Sequence, residues 1–206
     1  AAADLGEVSV WKRPRVTILA TGDELAEPGT ARNRPDAIPE SVSFGVAALV
    51  REWGAEMLRS VRLPDRLDDM ERAAARALED SDLIVVTGGA SVGEKDFAKA
   101  MFAPSGLEII FSTVAMKPGK PVWLGRTGAA LVIGVPGNPT SALVTARLLL
   151  APLLARLSGR SIEAALDWRG APLATSLGVC GPLETFHRAR WNRDCGEVLP
   201  NQDAGA

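Results

Sequence analysis

The chain has 206 residues, a net charge of −2, 47% hydrophobic residues and 23% charged residues. That length suits one full domain with a small second one, and the composition excludes disordered and fibrous classes. The near-neutral charge supplies no basic field for nucleic acid, and no apolar run reaches the roughly 18 residues of a membrane span, so neither is an expected partner.

Ala1 to Val10 lacks the charged start and apolar core of a signal peptide. Cys180 and Cys195 form no CxxC pair, and reduced thiols of a cytoplasmic protein are the expectation. Histidine occurs once, at His187, on a predicted strand where a packed or surface role is the stronger reading. Trp11, Trp53, Trp123, Trp168 and Trp191 are scattered and read as packing residues.

Residues 1–14 read as a leader or linker. Arg15 to Thr21 is a β-branched apolar run, expected to be a buried strand. A helix is predicted from Ser41 as N-cap, with Val42, Val46, Leu49, Val50 and Trp53 at helical spacing and Gly54 as its stop. Glu56 to Val61 reads as a strand. Asp65 is expected to cap the next helix, whose buried face is Leu67, Met70, Ala74 and Leu78. Leu83 to Val86 is a further strand, followed by a glycine-rich loop and a short helix from Asp96 to about Phe102.

Leu107 to Val114, Val122 to Leu124 and Ala130 to Val135 are predicted strands, with Met116 to Pro121 as a turn. Asn138 at N-cap and Pro139 at N1 open the longest helix, expected to reach Leu157. Strands alternating with helices imply an α/β fold of three layers, a mostly parallel sheet with helices on both faces, over residues 15–159. Beyond Gly159, Leu173 to Leu177 and Thr185 to Trp191 read as strands of a small β domain over 160–206 that lacks an obvious closing strand.

In such sheets ligands bind beyond the carboxyl ends of the strands, so the loops at 21–24, 87–95 and 136–138 are expected to gather at one edge. Thr87-Gly88-Gly89-Ala90-Ser91-Val92-Gly93 empties from a strand into a helix start, a backbone suited to anions. It is not a Walker loop, because Glu94 stands where the lysine should be, and it is not a dinucleotide fingerprint. Glu94 and Asp96 beside it suggest a Mg²⁺ shared with phosphate oxygens; a tight turn with a capping acid is the equal alternative. Lys117 and Lys120 on a proline-stiffened turn could hold an oxyanion, although a solvated basic turn is the commoner outcome. Pro136, Gly137, Asn138, Pro139, Thr140 and Ser141 form a second helix N-terminus with hydroxyls. Thr21, Gly22, Asp23 and Glu24 make a third loop with carboxylates.

Thr21-Gly-Asp-Glu-Leu25, Thr87-Gly-Gly-Ala-Ser-Val-Gly-Glu-Lys-Asp96, Met116-Lys-Pro-Gly-Lys-Pro121 and Pro136-Gly-Asn-Pro-Thr-Ser-Ala142 occur in this order. Together they resemble the MoeA/gephyrin E-domain family, the molybdopterin molybdenumtransferases, over about Val10 to Gly159. Phe186-His-Arg-Ala-Arg190 resembles the start of that family's C-terminal β domain.

The resemblance implies molybdenum cofactor biosynthesis: insertion of molybdate into adenylylated molybdopterin with Mg²⁺ and release of AMP. It implies Asp96 as the essential acid and a Mg²⁺ neighbour, with Glu40 as a further metal ligand and Ser41 beside the substrate. Lys117 and Lys120 would hold molybdate or the pterin phosphate. The loops Thr87 to Gly93 and Pro136 to Ser141 would cradle phosphates. A homo-oligomer, dimer or trimer, and an adenylyltransferase partner are implied as well.

Family members usually carry Asp-Ser/Thr-Asn before the first helix, where this chain reads Glu40-Ser41-Val42. The family's long N-terminal region, with its dimer-forming part, has no counterpart here, so a fragment or a stand-alone homologue is expected. Two other functions stay open: a molybdopterin adenylyltransferase on the same fold, and a pterin-binding module without catalysis. The adenylyltransferases tend to have a Thr-Gly-Gly-Thr-Gly loop, which this chain lacks.

Overall fold

The computed structural model describes residues 4–89, 97–178, 181–200 and 202. Strand β1 spans Arg15–Thr21, buried from Val16 onward. Two short strands, β2 (Leu25–Ala26) and β3 (Ile38–Pro39), pair in parallel in the loop that follows. Helix α1 spans Val42–Glu52. It closes with the Gly54 N–H on the Arg51 carbonyl (3.0 Å) and the Ala55 N–H on the Val50 carbonyl (3.1 Å), the paired lock of a glycine-terminated helix. Then come β4 (Glu56–Leu63), α2 (Leu67–Leu78), β5 (Leu83–Thr87) and α3 (Phe97–Ala100).

Four strands follow: β6 (Glu108–Phe111), β7 (Met116–Lys117), β8 (Trp123–Thr127) and β9 (Ala130–Val135). The chain then forms one continuous helical run, α4 (Pro139–Thr145), a π turn (Ala146–Leu150) and α5 (Ala151–Leu157). The π turn sits directly before Pro152, which lacks an N–H and whose ring would crowd the carbonyl four residues back. There the Ala151 N–H reaches the Ala146 carbonyl, five residues away. The C-terminal strands are β10 (Glu184–Thr185), β11 (Ala189–Asn192) and β12 (Cys195–Val198).

The main sheet has six strands in the order β4-β1-β5-β9-β8-β6. β4, β1, β5 and β9 run parallel, and β8 and β6 are antiparallel to their neighbours. The mostly parallel three-layer sheet expected from the sequence is what forms. Alternation along each strand sorts the core into two faces. Val16, Ile18, Leu83, Val85, Ile133 and Val135 meet α1 and the long helix. Leu19, Ile84, Val86, Trp123 and Val132 meet α2 and α3.

Some boundaries differ from expectation. Of Leu173 to Leu177, only an isolated bridge forms, Leu173 to Gly196 with the Ala174 N–H on the Gly196 carbonyl at 3.0 Å, because β11 pairs with β12 as a hairpin. The predicted strand at Leu107 to Val114 shortens to β6. Asp65 does not cap α2: Arg66 holds the N-cap position, and the Asp65 N–H donates to Asp23 Oδ1 at 3.1 Å. The run Pro139–Leu157, at 19 residues, is long and apolar enough by composition to cross a membrane. Core helices pass the same test, and this one lays Ala142, Ala146, Leu150 and Leu154 against the sheet. Past Gly159 the chain still touches the body: Ala165 is buried against Ala151 and Ala155, and its carbonyl accepts from Arg147.

Candidate functional site

Because β1, β5 and β9 are adjacent and parallel, their carboxyl ends open on one sheet edge. A cavity of about 520 Å³ lies there. Thr21 and Glu24 come from the first loop, Thr87, Gly88 and Gly89 from the second, and Pro136, Gly137, Asn138 and Pro139 from the third. Glu40 and Ser41 line it from the start of α1, and Leu25, Ile38, Pro39 and Val42 complete the wall.

The three loops interlock through one side-chain hydroxyl and through close approach of their backbones. Thr21 Oγ1 donates to the Thr87 carbonyl at 3.3 Å. A Cβ on Gly88 would lie 2.4 Å from the Thr21 carbonyl oxygen, and one on Gly137 would lie 3.2 Å from Gly88 Cα. Gly88 also has φ 86°, so a side chain there would face both a clash and a strained backbone. The third wall is a helix start. Asn138 Oδ1 accepts from the Ser141 N–H at 3.2 Å, Pro139 occupies N1, and no acid lies in the first turn. The positive end of the helical dipole therefore faces the cavity without an intrahelical counter-charge. Ser141 itself is buried behind this wall.

Glu40 is 7% exposed. Its Oε1 accepts the Ser43 N–H at 2.8 Å, and its Oε2 accepts the Ser43 hydroxyl. Glu40, not Ser41, thus supplies the cap of α1: Ser41 holds the N-cap position without a side-chain cap bond. Each Glu40 oxygen keeps a lone pair beyond these bonds.

A second cavity of about 450 Å³ adjoins the first and shares Thr21, Glu24 and Gly89. Gly22, Asp23, Asp65 and Phe97 line the rest. Burial, then the neighbouring Asp23, pushes the Asp65 carboxyl above its ordinary value. Among the described residues no group of three or more His, Cys, Asp or Glu is placed to hold a metal by itself.

Lys117 and Lys120 are exposed on the turn between β7 and β8, and neither lines the two cavities. Ser91, Gly93, Glu94 and Asp96 lie outside the described residues. The parts of the wall that sequence reasoning missed, Leu25 and Ile38–Pro39, come from the β2–β3 pair. Two-residue strands leave no periodic signal to find.

Residues 17–156 match the family described as "Probable molybdopterin binding domain". The chain is 37% identical over 193 residues to the molybdopterin molybdenumtransferase of Haemophilus influenzae, covering 94% of this chain and 46% of that protein. It is 34% identical over 204 residues to molybdopterin molybdenumtransferase 2 of Mycobacterium tuberculosis, covering 97% and 50%. A solved structure of the molybdopterin biosynthesis MoeA protein of Pyrococcus horikosii superposes with a TM-score of 0.74 at 26% identity, over 92% of this chain and 46% of that one. The chain spans about half the length of these relatives.

Proposed function

The chain belongs to the family of probable molybdopterin binding domains, and from that premise we propose that it acts in molybdenum cofactor biosynthesis, inserting molybdate into adenylylated molybdopterin with release of AMP. One observation carries this reading: three strand-end loops and an uncompensated helix start converge on a single cavity of about 520 Å³. That volume is within the range of small-molecule sites. Its walls carry backbone amides, glycines and hydroxyls, the chemistry that receives phosphates, together with the carboxylates of Glu24 and Glu40, which suit a cation.

In this reading Thr87 to Gly93 and Pro136 to Ser141 hold the pterin and nucleotide phosphates, and Thr21 to Glu24, Ser41 and Glu94 contact the rest of the substrate. Lys117 and Lys120 offset the charge of molybdate as it meets a second anion. Asp96 is the acid that the family resemblance implies for the reaction. Mg²⁺ usually takes one or two carboxylates and completes its shell with waters and substrate phosphates. The described donors fit that habit and not a closed protein cage: Glu24 and Glu40 line the cavity, with no third carboxylate grouped with them. Asp96 and Glu40 would hold the ion, whose chemistry would be to offset the charge of adjoining oxyanions. A cytoplasmic homo-oligomer working beside an adenylyltransferase completes the proposal.

A second reading is a pterin-binding module without turnover. It is favoured by Glu40, a longer acid committed to capping α1 where relatives usually carry Asp. AMP release from adenylylated molybdopterin, with and without molybdate and Mg²⁺, separates the two. Molybdate-dependent release supports the insertase, and tight ligand binding without release supports the module.

A further inference from the structure

The turn bearing Lys117 and Lys120 is held from two sides by contacts outside the cavity. On one side Gly119 is buried with φ 106°. A Cβ there would lie 2.4 Å from Thr145 Oγ1 and 3.1 Å from Met116 Cε. The tip of the turn therefore rests on α4, whose first turn walls the cavity. On the other side β10 pairs in parallel with β7. The Glu184 N–H donates to the Ala115 carbonyl at 2.9 Å, and the Phe186 N–H donates to the Lys117 carbonyl at 2.8 Å. Within the turn, the Val122 N–H takes the Gly119 carbonyl and the Val114 N–H takes the Lys120 carbonyl, each at 3.1 Å. The backbone is committed at three carbonyls while both lysine side chains stand exposed.

Thr145 is fully buried, and its hydroxyl has no hydrogen-bond partner. A helical threonine commonly returns its hydroxyl to a carbonyl one turn back. Here the hydroxyl faces Gly119 instead. Leaving a buried hydroxyl unsatisfied is unfavourable, and a valine of the same shape would avoid it. Packing economy alone does not account for this residue in this place.

We propose that Thr145 beneath Gly119 and the C-terminal strand β10 at its side are positioning elements that preset the Lys117–Lys120 turn as an oxyanion clamp. The proposal rests on the functional reading above and gives the C-terminal segment a part in the site. Fixing the backbone before the ligand arrives leaves less ordering to be done on binding, which favours recognition of a charged group. Thr145 and β10 act through the lysines and touch no substrate.

The test is a double-variant cycle on the full chain, with molybdate as the calorimetric probe and thermal melting as the check on folding. Gly119→Ala should weaken molybdate binding by roughly tenfold, since it meets Thr145 and a strained φ together. Thr145→Ala removes the obstructing oxygen, so adding it to Gly119→Ala should recover the part of that loss due to the clash and leave the part due to the strained φ. Adding Thr145→Ser, which keeps the oxygen, should recover nothing. Phe186→Pro deletes the N–H that holds the Lys117 carbonyl and should also weaken binding; it carries the test if Gly119→Ala fails to fold. Additive effects of Gly119→Ala and Thr145→Ala, or wild-type affinity in a folded Phe186→Pro, would overturn the clamp alone. A wild-type chain that binds no molybdate would overturn the clamp and the functional reading together.

Discussion

The α/β body and the C-terminal segment solve burial differently. In the body, β5 is buried at all five positions, and Trp123 is fully covered although its indole nitrogen has no partner. In the segment, β11 is exposed throughout, and Trp168 and Trp191 are 68% and 61% exposed. The body has enough strands to be covered on both faces by helices. The segment has a hairpin, one isolated bridge and a two-residue strand, which is too little sheet to bury a face of its own. It meets the body through Ala165 and through β10. A core can therefore be complete within the body, whereas the segment takes its placement from its neighbours.

The largest test of that contrast is Trp123→Ala. The ring lies so close to Gly134 that a Cβ there would meet Nε1 at 1.9 Å, and it is 0% exposed. Removing it should cost about 3–5 kcal/mol, the usual range for a buried aromatic truncated to alanine. Urea unfolding should show a lower midpoint with an unchanged slope. A midpoint near wild type would mean the body is not the cooperative unit.

Next in size is Glu40→Ala. The carboxylate caps α1 through the Ser43 N–H and hydroxyl from a nearly buried position, so its loss should cost about 1–2 kcal/mol, the scale of a strong N-cap. Glu40→Gln retains an acceptor for the N–H and should recover part of the loss. If Glu40→Ala leaves the urea midpoint unmoved, the cap contributes nothing to the fold and the residue is free for ligand work alone.

Much of this was legible in the sequence wherever one local rule decided the outcome. β1 and β9 form over the runs read as strands, because β-branched apolar runs bounded by turns have few other uses. Asn138-Pro139 started its helix by local capping chemistry alone. The three strand-end loops met because parallel topology leaves them one edge. What failed was set by distant partners. Asp65 looked like a helix cap but bonds to Asp23, 42 residues earlier. Leu173 to Leu177 reads as a short strand, yet it reaches only Gly196, which already pairs within the hairpin. The lysine turn was recognisable as a motif, but nothing in its own residues announced that Gly119 would rest on Thr145 or that β10 would lie beside Lys117.

Among the described residues of the body, two carboxylates have values shifted in opposite directions. Asp82 is pushed up by burial, but this is outweighed by bonds from the Arg15 backbone N–H at 2.8 Å and its guanidinium, so its folded value falls below the ordinary one. The stability it confers is present above its unfolded value and is lost as pH falls through the depressed folded value. Asp65 is pushed up by burial and by Asp23, so its folded value lies above its unfolded one. Its effect runs the other way: the ionised form is disfavoured in the fold, and stability is gained as pH falls through the raised value. An NMR titration of Asp23→Asn should move the Asp65 midpoint down only partway, because burial is the larger cause. A full return to the ordinary value would make Asp23 the dominant influence instead.

The smallest expected effect belongs to the segment. Trp191→Ala removes an indole as large as that of Trp123, but from a strand exposed at every position. Its body-facing contacts are carried elsewhere, by β10 and Ala165. Substitutions away from buried features usually fall within about 0.5 kcal/mol, and the urea midpoint should stay within that range of wild type. The comparison with Trp123→Ala holds side-chain type fixed and varies only burial, so the difference between the two losses measures how much of this tryptophan's worth comes from its surroundings. A large loss at Trp191 would mean that β11 is covered by another surface in solution, and that the segment's exposed apolar residues belong to an interface rather than to an under-built sheet.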